Sequence, residues 1–564
     1  MERKLIECVP NFSEGHDMSI IKQITNEIES VEGVKLIDVD PGQATNRTVV
    51  TFVGSPDEVV DAAFKAVKKA AELIDMAKHK GAHPRFGATD VCPFVPVANI
   101  TMAETVEYAR KLAKRIGEEL QFPVYCYEDA ALIKERKNLA FCRSGEYEGL
   151  ADKLTKVEWK PDFGPAKFVP KTGAIAVGAR NFLIAVNFNL NTTSTRRANA
   201  IAFDVREKGR PVRVGNPYTG KIKLDEHGKE VWTPGTLAGT KAIGWFIDEY
   251  GVAQVSMNIT DIVKTPLHVA FEEVSRCAAE RGIRVTGTEI VGVVPLSSLI
   301  DAGKYFLQKQ RRSGGIADKE IIKIAIKSMG LDELYPFESK KKVIEYLIIE
   351  DAKKQLVDMD LIAFANETAS ESPAPGGGSI SAYMGAMGAA LGTMVANLSS
   401  HKAGWDDRWE EFSIWAEKGK YFMDQLLRMV DEDTVAFNRI MDAYSLPKKT
   451  EEEKLCRKQA IQVATRYAIE VPFKVMQLCY GSMEVMKAMA EIGNPNSVTD
   501  AGVGAIAARS GVYGAFLNVK INSAGLHDKE YVDKVLADGQ NILKKSMNLE
   551  STILDLVVKK IDDK

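Results

Sequence analysis

His79-Lys80-Gly81-Ala82-His83-Pro84-Arg85-Phe86-Gly87-Ala88-Thr89-Asp90-Val91-Cys92-Pro93-Phe94-Val95-Pro96 joins a helical pattern behind it to an apolar, strand-like run ahead of it. The amphipathic periodicity over 56–78 stops at Lys78. Gly81 frees the backbone there, and Pro84 lacks an amide donor and clashes with the preceding turn. A helix, an irregular loop and an apolar strand in that order point to an α/β unit. The loop carries two imidazoles, a guanidinium and a carboxylate, and an irregular segment is where a fold can aim such groups at a ligand. Histidine is the side chain that titrates near neutral pH without perturbation.

Towards the N-terminus, residues 5–9 alternate and read as a strand, broken by Pro10-Asn11-Phe12-Ser13-Glu14-Gly15. A helix follows to about Ser30, then strands at 34–38 and 48–53 with a polar turn over 40–47. Beyond Val97 come a helix at 103–120 and a short strand at 123–127. Strand, helix, strand, strand, helix, strand, helix, strand is a split βαβ order with a mixed sheet. The order partly recurs, with strands at 182–189, 244–248, 252–259 and 285–294 and helices at 195–207, 265–281 and 297–308. Two α/β subdomains are therefore expected, over 1–180 and 181–335, with a ligand in the groove between them. The joining stretch 162–174 is dense in Gly and Pro, which excludes regular structure. Its Phe163 and Phe168 offer flat faces to an aromatic heterocycle; a plain linker is the alternative. Residues 212–237 read as an inserted surface hairpin.

A linker is expected at 336–355. Its Lys340-Lys341-Lys342 is a solvated face or an attraction for an anionic tail. From 356 to 564 strand signals vanish, and helical patterns at 356–368, 379–398, 405–444, 451–492, 500–523 and 528–558 predict an all-α helical bundle domain. Pro373-Ala374-Pro375-Gly376-Gly377-Gly378-Ser379 opens one of these helices. Free N–H groups behind a Gly loop make an anion site, unless the loop is only a turn. Asp433 has Met429, Val430, Ala436 and Phe437 at helical spacing, with Ile440 one turn on. A carboxylate on that apolar stripe loses hydration and holds its proton more tightly; an ion pair with a neighbouring helix is the alternative.

Composition agrees with a multidomain globular chain: 564 residues, 45% hydrophobic and 27% charged. A net charge of -3 supplies no global drive towards nucleic acid. The N-terminus leads into a strand-like run and not a secretory segment, and the apolar run near 386–398 is too short to span a bilayer. Seven cysteines without a Cys-x-x-Cys pair suggest reduced thiols. A cytoplasmic chain with no membrane or nucleic-acid partner is expected. Cys92 is a small buried hydrophobe or a reactive thiol. His79 and His83 have metal-pair spacing, but Gly81 and Pro84 spoil the helix and no third ligand follows, so no metal is expected.

Glu7-Cys8-Val9-Pro10-Asn11-Phe12-Ser13-Glu14-Gly15, the His83-Pro84-Arg85 loop with Asp90-Val91-Cys92-Pro93-Phe94, and the stretch 162–170 resemble glutamate formiminotransferase, from Leu5 to about Leu307. Pro375-Gly376-Gly377-Gly378-Ser379, Met394-Val395-Ala396-Asn397-Leu398, Val430-Asp431-Glu432-Asp433 and Gly514-Ala515-Phe516-Leu517-Asn518-Val519-Lys520-Ile521-Asn522 resemble formiminotetrahydrofolate cyclodeaminase, over about 356–554. The chain is thus similar, along nearly its whole length, to the bifunctional formimidoyltransferase-cyclodeaminase family. The segment 212–237 is longer than in the animal members.

The resemblance implies transfer of the formimino group of N-formimino-L-glutamate to tetrahydrofolate, giving 5-formiminotetrahydrofolate and glutamate. Cyclisation to 5,10-methenyltetrahydrofolate with release of ammonia follows, within histidine degradation and one-carbon metabolism. It places the catalytic imidazole on His83, a contact or supporting imidazole on His79, a fork for a substrate carboxylate on Arg85, and Asp40 or Asp90 beside the imidazole. Folate contacts fall on Gly164, Pro165, Phe168, Val169, Pro170 and Gly173 in the first half. In the second they fall on Gly376, Gly377, Gly378, Ser379, Asn518 and Asn522, with Asp433 as the acid for the departing nitrogen. Glu7, Asn11, Asn187 and Asn189 are further groove candidates, the last two on one strand face. Tetrahydrofolate, with or without a poly-glutamate tail, would be a co-substrate, with no tightly bound cofactor and a homo-oligomeric assembly. The alternatives are a helical half that hydrolyses methenyltetrahydrofolate, or one that serves only folate binding and assembly.

Overall fold

The computed structural model describes residues 4–43, 45–81, 84–216, 220–349 and 355–563. The chain forms two compact units, residues 1–302 with 329–351, and residues 303–328 with 352–564.

In the first unit, strands β1 (Leu5–Cys8), β2 (Asn11–Phe12), β3 (Val34–Gly42), β4 (Arg47–Gly54), β5 (Thr89–Ala98), β6 (Val124–Glu128) and β7 (Ile175–Ala179) form one mixed sheet. β1 and β2 act as one interrupted central strand, antiparallel to both β4 and β5. β3 flanks β4, and β5, β7 and β6 run parallel. Helices α1 (Met18–Glu29), α2 (Pro56–Leu73) and α3 (Met102–Glu119) bury their apolar stripes on one face, against Ile6, Cys8, Phe52 and Phe94.

The sequence reading differs in three places. α2 ends at Leu73, five residues before Lys78. β7 was not read as a strand; a short parallel strand buried on both faces is a plain apolar run without alternation. β3 continues through Asp40 to Gly42 where a polar turn was expected, and its register slips between Leu36 and Asp38. The bulge switches faces: Val34, Leu36 and Val39 pack on the core, and Asp38 and Asp40 face the other way.

Later in the same unit, strands β8 (Ile184–Leu190), β9 (Thr240–Ile247), β10 (Val252–Ile259) and β11 (Val285–Val291) form an antiparallel sheet in the order β9-β10-β8-β11. Helices α4 (Thr195–Val205) and α5 (Leu267–Ala279) pack against its apolar side chains, as in the Phe188–Phe271 ring pair at 6.4 Å. The segment 210–233 makes two short ladders, Arg210–Pro211 with Trp232–Thr233 and Arg213–Val214 with Lys221–Ile222, in keeping with a surface hairpin. The expected linker holds two short helices, Ser339–Lys342 and Ile344–Ile349. Leu296 donates its N–H to Glu345 at 2.8 Å, which ties the second of them to the α/β unit.

Helix α6 (Leu296–Lys309) leads out of the sheets and α7 (Asp318–Met329) follows. The remaining helices are α8 (Leu361–Thr368), α9 (Gly377–Ser400), α10 (Trp409–Ser445), α11 (Glu451–Ile492), α12 (Val498–Ser523) and α13 (Lys529–Asp562). α9 is packed by α10, α11 and α12, and small residues let the backbones approach. A Cβ on Gly388 would lie 2.6 Å from the Gly504 carbonyl oxygen. α9 is longer than the apolar run read from the sequence, and it is long and apolar enough to cross a membrane by length and composition. Much of it is buried in the helical unit. Residues 303–328, read as part of the α/β half, group with these helices. Gly314 donates to Ser413 at 3.0 Å, Asn397 to the Gly315 carbonyl at 2.8 Å, and Lys420 pairs with Asp318 at 2.8 Å.

Candidate active sites

Alternation along β1 and β2 sends Ile6, Cys8 and Phe12 into the core and Glu7, Val9 and Asn11 to the opposite face. That face lines a cavity of about 430 Å³ in the groove between the two sheets, closed on the far side by Ala185, Asn258 and 291–293. One wall is basic. Arg47 bonds the Asn11 Oδ1 through Nε at 2.9 Å and Nη2 at 2.6 Å, and reaches the Asp90 carboxylate through Nη1 at 2.8 Å. Asp90 is fully buried, pairs also with Arg143, and accepts the Phe86 N–H at 3.1 Å. Two guanidinium groups on one carboxylate leave this wall with surplus positive charge, to which Arg180 adds. Another wall carries Asp38 and Asp40. Burial raises the pKa of both; Asp38 adds to the rise at Asp40, and Lys342 opposes it at each.

The central loop abuts the turn that rims this cavity. His79 Nε2 lies 2.9 Å from the Asn46 carbonyl oxygen, and its Nδ1 accepts from Arg85 Nε at 3.3 Å, which assigns the proton to Nε2. The Asn46 amide donates to the Lys80 carbonyl at 2.8 Å. His79 is clear of the end of α2, so it is not on a helix. His83 lies outside the described residues.

Arg85 is 9% exposed and forks its two terminal nitrogens onto Glu148 at 2.9 and 2.8 Å. The fork expected for a substrate carboxylate is filled from within the chain, and Arg85 does not line the cavity. The stretch 168–173 is stitched to the same loop. Tyr147 packs on Phe168 at 5.5 Å, donates its hydroxyl to the Pro170 carbonyl at 2.6 Å, and donates its N–H to the Arg85 carbonyl at 3.0 Å. Gly173 needs its positive φ of 66° and the absence of a Cβ, which would sit 2.2 Å from the Phe86 carbonyl oxygen. Val169 accepts the Gly173 N–H at 2.8 Å. Gly164 packs instead on the Phe122 carbonyl and Gly117, away from that loop, with Pro165 following it. None of these six residues lines the cavity.

Asp40, Glu7 and Asn11 do line it. Asn187 and Asn189 share the facing side of β8 but are held by Glu289 at 2.9 Å and Glu333 at 2.6 Å. Arg47, Arg143, Arg180, Asp38 and Tyr127 escaped the sequence reading. Arg47 is the first residue of a strand read from Thr48, and Arg180 follows the strand that was missed.

The helical unit builds a second, smaller site of about 210 Å³. Gly376, Gly377 and Gly378 at the start of α9, Asp433 on α10, and Asn518 and Asn522 on α12 all line it, as the sequence reading expected. Ser379 stands behind Asp433: its N–H donates to the carboxylate at 2.9 Å and its hydroxyl lies 3.2 Å away. Only glycine fits at 378, where a Cβ would fall 2.1 Å from the Asp433 Oδ1. Burial raises the Asp433 pKa, and the two Ser379 bonds oppose the rise. Asn518 spends an amide N–H on the Gly514 carbonyl at 2.9 Å, and Asn522 one on the Ala468 carbonyl at 2.7 Å. Phe437 is half-exposed at 37% and offers a ring to the cavity, where the stripe reading took it as core. Thr434, also at the wall, has a buried hydroxyl without a hydrogen-bond partner among the described residues.

Comparison with known proteins matches residues 5–180 to the formiminotransferase domain, N-terminal subdomain; residues 185–349 to the formiminotransferase domain; and residues 360–541 to a formiminotransferase-cyclodeaminase model. The chain is 41% identical over 557 residues to a formimidoyltransferase-cyclodeaminase of Dictyostelium discoideum, covering 98% of this chain and 99% of that one. It is 42% identical over 324 residues to a glutamate formimidoyltransferase of Thermoplasma acidophilum, covering 57% of this chain and 98% of the relative. A methenyltetrahydrofolate cyclohydrolase of Methylorubrum extorquens is 36% identical over 199 residues, covering 35% of this chain and 96% of the relative.

Proposed function

The chain belongs to the formimidoyltransferase-cyclodeaminase family, and from that premise we propose how its two cavities divide one sequence of reactions. The α/β unit transfers the formimino group of N-formimino-L-glutamate to N5 of tetrahydrofolate and releases glutamate. The helical unit closes the resulting 5-formiminotetrahydrofolate to 5,10-methenyltetrahydrofolate and releases ammonia. End-to-end likeness to a bifunctional relative carries this reading, because it puts both motif sets in one chain.

In the first reaction the N5 nitrogen attacks the amidine carbon, and His83 takes its proton. Asp90 is already committed to Arg47, Arg143 and the Phe86 amide, which leaves Asp40, on the cavity wall, as the carboxylate to hold developing cationic charge. The surplus positive charge of Arg47, Arg143 and Arg180 suits the carboxylates of the glutamyl donor. Arg85 and His79 position the loop, and the stitched stretch 168–173 frames the folate ring from outside the cavity.

In the second reaction N10 attacks the formimino carbon, and Asp433 protonates the nitrogen that leaves as ammonia. Gly376, Gly377, Asn518 and Asn522 contact the folate, while Gly378 and Ser379 let the carboxylate dock on the helix N-terminus. The chain works as a cytoplasmic homo-oligomer. Exposed apolar side chains spaced along α12, at Val503, Ile506, Tyr513, Leu517 and Ile521, support the assembly.

The likeness of the helical half to a cyclohydrolase favours a second reading, hydrolysis of methenyltetrahydrofolate there. One assay separates them. Formimino-glutamate and tetrahydrofolate are supplied, and glutamate and ammonia are followed together. Stoichiometric release of both supports the bifunctional reading; glutamate without catalysed ammonia release overturns its second half.

A further inference from the structure

Glu7 is 4% exposed in the middle of a sheet, and its carboxyl makes no hydrogen bond to any described residue. Its partners across the sheet are Val53 and Val95, and it lines the larger cavity beside Val9 and Pro93. A carboxyl so placed has given up most of its water for a cavity wall and no hydrogen bond, a cost that packing does not demand. The core face of β1 is already filled by Ile6 and Cys8, and a valine would complete the other face.

The charged and titratable groups around that cavity are Arg180 after β7, Tyr127 on β6, Arg47 on β4, Asp38 and Asp40 on β3, and Arg143. Arg180 pulls the Glu7 proton off, but burial outweighs it and pushes the carboxyl up to about 7. Acid and carboxylate forms then coexist at neutral pH, as a proton donor in turnover requires.

Resting on the transferase reading above, we propose that Glu7 is the second catalytic residue of the first reaction, the acid that protonates the departing nitrogen of glutamate. The N5 lone pair forms the new C–N bond, the amidine C=N pair moves onto its nitrogen, and the N5 proton passes to His83. The C=N pair re-forms as the bond to glutamate breaks, and Glu7 delivers its proton to the leaving amine. The imidazolium then gives its proton to water, and the Glu7 carboxylate takes one back from water. Overall one proton moves from N5 to the amino group of glutamate, and one C–N bond replaces another.

The test compares full-length Glu7→Gln with the parent chain. Glutamate release is expected to fall in kcat by about 100- to 10,000-fold, with KM for both substrates within about threefold. Glu7→Asp restores at least about tenfold of that loss, because a shorter acid is still an acid. Ammonia release from preformed 5-formiminotetrahydrofolate is unchanged. A formimidate ester whose leaving group is a nitrophenolate departs without an acid, so its rate falls by less than about threefold.

A kcat within about threefold of the parent, a loss confined to KM, or an equal loss with both donors overturns the assignment. Should Glu7→Gln fail to fold, the parent decides. Its kcat falls on the alkaline side of about 7 with the natural donor and not with the nitrophenyl formimidate; the same profile with both overturns the assignment. A parent chain that releases no glutamate overturns the transferase reading itself, and this assignment with it.

Discussion

At the scale of single residues, both cavities raise the pKa of a carboxyl by withdrawing water and then limit the effect with one counter-interaction. For Asp433 that counter-interaction is Ser379, whose N–H and hydroxyl oppose the burial. The contact exists because residue 378 has no side chain. Gly378→Ala would drive a methyl group into the carboxylate, with its Cβ 2.1 Å from Oδ1. Ammonia release should fall about 10- to 100-fold while glutamate release holds, the cost of overpacking one contact. A coupled assay of both products checks this.

Glu7 makes the opposite trade visible. The unfolded chain gives up this proton near 4.5 and the folded chain keeps it to about 7. The folded state therefore binds more protons in that window, and stability is lost as pH rises through it. The gap is worth about 3 kcal/mol above pH 7. Glu7→Gln should then gain stability of that order at pH 8 and little at pH 4, read by urea unfolding of the full chain at both pH values.

At the scale of elements, the bulge in β3 decides the charge of a whole cavity wall. A regular strand would send Leu36, Asp38 and Asp40 to the same face; the slip after Leu36 puts the apolar residues in the core and both carboxylates in the cavity. α9 shows the same dependence on shape. Its glycines serve close packing, and Gly388 meets the backbone of α12. Gly388→Val should cost about 1–3 kcal/mol through overpacking, since neither backbone can yield as a flexible side chain would. Denaturant unfolding of the full chain measures it.

The joining stretch, irregular in itself, is held by the buried Arg136–Asp162 pair at 2.5 Å, with Asp162 also accepting the Cys126 N–H at 2.7 Å. Arg136→Met leaves that carboxylate buried and unpaired. It should destabilise the α/β unit by about 3–5 kcal/mol.

At the scale of the molecule, each compact unit has its own core, one built on sheets and one on helices. Calorimetry of the full chain should resolve two transitions. Arg136→Met lowers one and Gly388→Val the other, and a single transition lowered by both variants would contradict this. Periodicity alone determined which half carries sheets and which carries helices. It also placed Asp433 on an apolar stripe and the glycine loop at a helix start, because local spacing sets the face of a long helix, whereas Asn518 and Asn522 came from the family resemblance. Glu7, Asn11 and Asp40 were named from the sequence, but the rest of the larger cavity's walls came only from tertiary structure. Arg85 was taken by Glu148, 63 residues away in the chain; Asp38 and Asp40 were turned inward by a one-residue slip; and Arg47 and Arg143 met on Asp90. Ion pairing and register depend on partners distant in sequence, and no local pattern encodes them.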